Sequence, residues 1–410
     1  MNIVIWDIET DSSNTFFGTI IEIGGILLND NFQELDKLNI RCRLPEGVVP
    51  QAGALLVNQS SISMLTQANY SHYQMLQEVE AVFKKWSPAI FLGYSNINFD
   101  DEMLRKEFFK GLRYPYLTNT NGNKRQDGLN IVRAAFAVNN KIFKTELNEK
   151  GNALMKLESL ARMNGINTKG AHNALFDANL TKLILEKIYK EQNVTWKSSM
   201  LTGSREEVER FAKDEIMFTL NEYFYGKSKL YLVAPLHTEH MLHPVYKWVQ
   251  SFDLRFDPEL YFKMPLTELK IEMQKTPKFL RTIRSNKAPV LLHSNYGSKA
   301  EPYNTLSKEK LLKRAKLIKN NKEFCNKVSI ALREIAEEKK DTSDQSDITP
   351  EESIYSKFVD SKENIKMEKW HNATWEEKVI LLDKFEDSRL IDFGKKIIYQ
   401  EAPQVLPKSI

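Results

Sequence analysis

Near the start of the chain the apolar stretch IVIWDIET carries Asp7 and Glu9, two residues apart. On a strand, residues i and i+2 project from the same face, so the two carboxylates would stand side by side. Anions at that spacing beside apolar neighbours repel each other and lose hydration. No lysine lies close by in sequence. A divalent cation that favours hard oxygen ligands, magnesium or manganese, meets the need. A strand end opening into water would also tolerate the pair. A second stretch, GYSNINFDDEML, runs from an apolar strand pattern into Asn96, Phe99 and Asp100 at the start of a helical pattern. An acidic residue there suits the helix N-terminus, so Asp100 or Asp101 also reads as a helix-start residue. The third stretch, GAHNALFDANL, sets His172 five residues before Asp177. Five helical steps do not share a stripe, but a histidine just ahead of the helix reaches the same point from another direction. An imidazole at such a place suits general-base chemistry. A lone histidine is otherwise a packed or solvated side chain.

Taken together, the three stretches read D-x-E, N-x-x-F-D and H-x4-D in chain order, each on the element type it needs. The pattern resembles the DEDDh superfamily of 3′→5′ exonucleases, which have a ribonuclease-H-like fold. The surrounding words NFDDE, YPY, VRA, LMKLESLARMNGI, VAPL and KAPVLLHSN are similar to bacterial exonuclease I, the single-strand-specific DNA exonucleases. The resemblance runs over most of the chain and is strongest in the first 180 residues. It implies a magnesium- or manganese-dependent exodeoxyribonuclease that releases 5′-mononucleotides through two ions. Asp7, Glu9, Asp100 and Asp177 would be the metal ligands, with Asp7 bridging and His172 as the base. It further implies substrate contacts from Arg105, Tyr116, Arg125, Arg133 and Lys156. The implied partners are single-stranded DNA and the acidic tail of single-stranded-DNA-binding protein, and the implied role is DNA repair or recombination. An RNA-trimming or proofreading relative and a non-catalytic single-strand-binding module are the alternatives.

The chain also departs from the family pattern. Asp11-Ser12 follow Glu9-Thr10 where the family continues Phe-Gly, and Asn173 stands where an Asp commonly follows the histidine. Lys156 stands in place of an arginine, keeping the charge but losing the bidentate fork.

The elements that must position these residues follow from the patterning. Ile3–Ile8, Thr19–Leu28, Leu38–Leu44 and Ala89–Tyr94 read as strands. Ser71–Trp86, Asp101–Gly111, Asn130–Ala137, Met155–Asn164 and Leu175–Tyr189 read as helices. Strands first and helices interleaved later give an α/β domain with a mixed sheet covered by helices. Residues 1–192 are expected to form this exonuclease domain, 193–340 an SH3-like α+β domain, and 341–410 a shortened helical domain. The Ser/Thr-rich segment Asn193–Arg205 is expected to be a linker, as is the polar run Lys339–Pro350. Leu306–Glu338 is expected to be one long helical stretch, followed at the chain's end by a loose, proline-containing tail.

Composition sets the remaining bounds. Hydrophobic content is 42% and charged content 27%, values of an ordinary globular chain. A formal net charge of +4 does not by itself mark a nucleic-acid binder, so any basic surface must be local. One such place is Leu306–Lys322, with seven Lys or Arg against one Glu, a path for single-stranded DNA or a seat for an acidic peptide. A solvated basic helix is the plain reading of the same run. Cys42 and Cys325 stand far apart and form no metal-ligand pattern, as suits a reducing compartment. No apolar run approaches the ~20 residues of a membrane span, and no signal-peptide pattern opens the chain. A monomeric cytoplasmic protein is expected.

Overall fold

The computed structural model describes residues 1–340 and 348–406. The centre of the expected second linker, 341–347, and the end of the expected tail, 407–410, lie outside the described residues. The chain divides into two compact units. The first holds residues 1–125, 168–182 and 346–410; the second holds 126–167 and 183–345. The division differs from three consecutive segments, because the last helices group with the first strands.

In the first unit, β1 (Asn2–Thr10), β2 (Ile20–Leu28) and β3 (Glu34–Arg41) form an antiparallel meander. β4 (Ala89–Gly93) then pairs parallel to β1 on its other side. A short β5 (Lys124–Asp127), absent from the sequence expectation, completes the order β3-β2-β1-β4-β5. The sheet is therefore mixed, as expected. β1, β2 and β4 are almost wholly buried, which is why their sequences read as apolar runs rather than alternations.

One core packs the helix His72–Trp86 against the sheet through Met75, Leu76, Val79, Phe83 and Trp86, meeting Val4, Trp6 and Phe91. Ser71 starts this helix with a capping box to Gln74. A second core joins Phe109 and Leu112 to the C-terminal helices Ser361–His371, Trp375–Leu382 and Ser388–Glu401 through Trp370, Leu382 and Phe393.

In the second unit, β6 (Phe218–Phe224), β7 (Lys227–Pro235), β8 (Val249–Asp253), β9 (Leu280–Ile283) and β10 (Leu291–His293) form a sheet of order β10-β6-β7-β8-β9. Each pairing in it is antiparallel. Two expectations are corrected here. Asn193–Arg205 is not a linker: Asn193–Ser199 is helical, with Thr195, Trp196 and Ser199 buried. The stretch Leu306–Glu338 is not one helix. It breaks between Lys308–Asn320 and Lys322–Lys340 at Asn321, whose side chain accepts from the Phe324 N–H at 2.9 Å and so caps the second helix.

Candidate active site

The site forms where β1, the start of the helix Asp100–Lys110 and the start of the helix Ala174–Glu191 converge within the first unit. Asp7 and Glu9 leave β1 on one face, each half-buried. Asp177 arrives on the first turn of its helix, and carboxylate oxygens of Asp7, Glu9 and Asp177 lie within 4.8 Å of one another. Asp100 is the first residue of its helix and is buried. Its charge is the largest carboxylate contribution to raising Asp7.

The electrostatics record this crowding. Burial, followed by the charges of Asp100, Asp177, Glu9 and Glu22, pushes the Asp7 carboxyl well above the usual carboxylate range. Burial, then Asp177 and Glu22, pushes Glu9 up to about 8, with the Arg41 guanidinium working against the rise. Such a cluster must take up either protons or a cation. The donor set fits a hard divalent ion: three half-buried carboxylates converge, and a fourth acts on them from the facing helix.

His172 sits in the turn ahead of its helix, in a left-handed conformation with φ 70°. Non-glycine residues seldom adopt it, and the surrounding structure must hold it there. Part of that hold is visible, because the His172 backbone N–H donates to Asp177 Oδ2 at 3.2 Å. The two residues five apart are thus brought together by the turn, not by a helical stripe.

Asp101 is a scaffold group. Its carboxylate accepts from Arg125 Nη1 at 3.3 Å, with Asn96 Nδ2 at 3.4 Å and Thr118 Oγ1 at 3.5 Å. Arg125 is therefore tied into the interior side of this helix. Arg105 is buried, with Nη1 donating to Glu102 Oε1 and Tyr355 Oη, both at 3.0 Å, and with its guanidinium 5.2 Å from the Tyr116 ring centre. Tyr116 packs edge-on against Tyr114. Arg133 and Lys156 belong to the second unit. The Arg133 guanidinium lies 3.7 Å over the Tyr223 ring, and Lys156 is exposed just ahead of the helix Leu157–Met163.

Sequence reasoning missed Glu22, which stands opposite Glu9 across the β1–β2 ladder and is 1% exposed. Its carboxylate accepts from Arg41 and, at 2.5 Å, from Asn173 Nδ2. A lone acid inside TIIEIGGILL was the available signal, since carboxylates are almost never fully buried unless paired.

The mixed β3-β2-β1-β4-β5 sheet thus carries three carboxylates converging at the end of β1, with Asp100 acting on Asp7 from the start of a second helix. Residues 4–185 match the RNase_T family, described as Exonuclease. The particular resemblance is to exodeoxyribonuclease I. The chain is 27% identical over 194 residues to that protein from Buchnera aphidicola subsp. Schizaphis graminum, a match covering 47% of this chain and 40% of the relative. The matched segment thus spans less than half of the relative's length. Among solved structures, E. coli exonuclease I in complex with a dA16 oligonucleotide aligns with TM-score 0.79 at 18% identity, covering 100% of this chain and 88% of that one. A structure described as an ExoI/SSB-Ct complex aligns with TM-score 0.77 at 18% identity, with the same two coverages. The expected likeness and fold class are borne out by these matches, and the structural likeness establishes the fold over the whole chain.

Proposed function

We propose that this chain is a single-strand-specific DNA exonuclease that works from the 3′ end and releases 5′-mononucleotides. The convergence of Asp7, Glu9 and Asp177 within 4.8 Å carries the reading. The exonuclease-family match over residues 4–185 and the exodeoxyribonuclease I relatives support it.

Asp7, Glu9, Asp100 and Asp177 would hold two divalent cations, magnesium or in its place manganese. When bound, these supply the positive charge that activates a water and offsets the charge gathering on the scissile phosphate. Asp7 has the central place among the ligands, since Asp100, Asp177 and Glu9 all act on its charge. Glu9 lies at the end of β1, where the terminal 3′-hydroxyl would come to rest. His172 takes the proton from the attacking water. Its left-handed turn and the bond from its N–H to Asp177 hold it at the helix start.

Single-stranded DNA is the substrate in this reading, with Lys156, Arg105, Tyr116, Arg125 and Arg133 as contacts or as supports of contacts. The acidic tail of a single-stranded-DNA-binding protein is the proposed partner. A cavity of about 790 Å³ lined by Phe262, Leu312 and Leu317 with Lys313, Lys316 and Lys322, and flanked by Glu309 and Glu323, is its proposed seat. A monomeric cytoplasmic enzyme acting in repair or recombination completes the proposal. Among the described residues no helix is long and apolar enough to cross a membrane.

The test is an oligonucleotide labelled at its 5′ end. With magnesium the protein gives a ladder shortening from the 3′ end; with EDTA, or with Asp177→Ala or His172→Ala, the ladder disappears. Wild-type cleavage by Asp177→Ala removes the metal-ligand assignment. Preference for RNA of the same sequence points instead to an RNA-trimming enzyme.

A further inference from the structure

The helix that brings Asp177 to the site must be held at a fixed height and rotation over β1. Its first turn rests on β2, not on β1. Gly24, opposite Asp7 in the ladder, leaves no room above it: a Cβ there would stand 2.1 Å from the Leu175 N and 2.4 Å from the Ala174 carbonyl carbon. The helix backbone therefore touches the strand. Glu22 lies two residues away on the same strand face, opposite Glu9. Its buried carboxylate takes bonds from Arg41 on β3, from Asn173 Nδ2 at 2.5 Å and from the Ala174 backbone N–H. Asn173 in turn uses its Oδ1 to accept from the Phe176 N–H at 3.1 Å, and its carbonyl accepts from the Asp177 N–H at 2.9 Å. One amide side chain thus caps the helix with its oxygen and clamps it to the sheet with its nitrogen.

We propose that Glu22 and Asn173 are positioning residues for the reaction: a carboxylate–amide clamp that sets the distance of Asp177 and His172 from Asp7 and Glu9. The inference rests on the exonuclease reading of that site. The clamp needs one acceptor and one donor, so its polarity is exchangeable. With a glutamine at 22 and an aspartate at 173, the glutamine nitrogen donates to the aspartate, and the aspartate still caps Phe176. With Asn173→Asp alone, two carboxylates face each other in a buried place, and the helix start is pushed off the sheet.

The experiment measures kcat and KM on a single-stranded oligonucleotide, with Mn²⁺ affinity by calorimetry on the DNA-free protein, for wild type, Asn173→Asp and Glu22→Gln/Asn173→Asp. Supporting residues of metal sites are commonly worth about 10–100-fold in affinity or activity. Asn173→Asp is expected to lose that in kcat and in Mn²⁺ affinity, with KM within about twofold of wild type. The double variant should recover at least about tenfold of the loss. Should Asn173→Asp fail to fold, recovery of fold and kcat in the double variant reads out the same coupling. Wild-type kcat in Asn173→Asp, or a double variant no better than the single, overturns the clamp. A wild-type protein without nuclease activity sinks the exonuclease reading instead, and the Mn²⁺ affinities still decide the clamp.

Discussion

Asp100 and Asp101 are neighbours in sequence and face opposite tasks. Asp101 is engaged by Arg125 at 3.3 Å, whereas Asp100 acts on Asp7 across the acidic cluster. The helix they begin has Phe99 at its cap position with no side-chain cap bond, so neither acid serves as the cap. Substituting each by asparagine should therefore separate activity from stability. Asp100→Asn should abolish cleavage with the unfolding midpoint held or raised, because it removes one of four crowded charges. Asp101→Asn leaves the Arg125 guanidinium without its buried counter-ion, a change that costs about 3–5 kcal/mol. Denaturant unfolding alongside the cleavage assay checks both, and equal behaviour of the two variants would contradict the assignment.

The acidic cluster also sets a pH dependence in the metal-free protein. Glu9 is raised to about 8 in the folded chain from an ordinary value near 4.5. Between those values the folded state holds a proton that the unfolded state releases. The stability linked to Glu9 is thus present below about 4.5 and lost as pH rises through about 8. In EDTA the melting temperature should fall from pH 6 to pH 8. Magnesium should raise it more at pH 8 than at pH 6, because the cation replaces the proton. Glu9→Gln should flatten the profile in EDTA while removing cleavage. A magnesium effect independent of pH would speak against the cluster as the ion's seat.

The basic helix divides by burial. Lys313 and Lys316 are exposed, but Arg314 is buried, donating to the Leu254 and Arg255 carbonyls at 2.9 and 3.0 Å and to Asp257 at 3.3 Å. Lys313→Glu with Lys316→Glu should leave the melting temperature in place and weaken single-strand binding. The slope of log K against log salt should become shallower by about 0.7 for each phosphate left without its cation. Arg314→Glu should instead lower the melting temperature, since it puts a carboxylate against carbonyl oxygens. Fluorescence anisotropy at several salt concentrations with thermal melts distinguishes the two, and an unchanged slope returns Lys313 and Lys316 to plain surface charge.

How much of this was legible in the sequence follows from where each signal resides. Asp7, Glu9, Asp100, His172 and Asp177 sit in short stretches whose element type is set by local pattern, so the approach of Asp7, Glu9 and Asp177 to one another was open to inference. Glu22 acts through strand register, opposite Glu9 and beside Arg41, and register is not written in either stretch alone. The Ser and Thr of Asn193–Ser199 suggest a loop, while Trp196 makes the segment a packed helix. The break at Asn321 had a local signal in the pair Asn320-Asn321, where a capping residue begins a new helix. β5, Lys124–Asp127, has four polar residues and no alternation to betray it.

Within the first unit, the C-terminal helices are tied to the helix His72–Trp86 by a histidine that stays neutral. His371 sits between Tyr73 Oη, 3.0 Å from Nδ1, and the Leu112 carbonyl, 2.9 Å from Nε2. A neutral ring that accepts from the tyrosine and donates to the carbonyl satisfies both; a protonated one has no acceptor to offer the hydroxyl. Burial, then the Arg113 charge, lowers its pKa to about 3 from an ordinary 6.5. The unfolded chain therefore takes up a proton that the folded chain refuses. The stability linked to this site is present above about 6.5 and lost as pH falls below it. Wild type should lose melting temperature between pH 7 and pH 5, and His371→Asn, which does not titrate, should lose less over the same interval despite a lower starting value. Protection of the Ser361–His371 amides, taken relative to the intrinsic exchange rate at each pH, should fall over that range in wild type and stay level in the variant. Parallel acid-side slopes for the two proteins would show that the ring carries no such linkage.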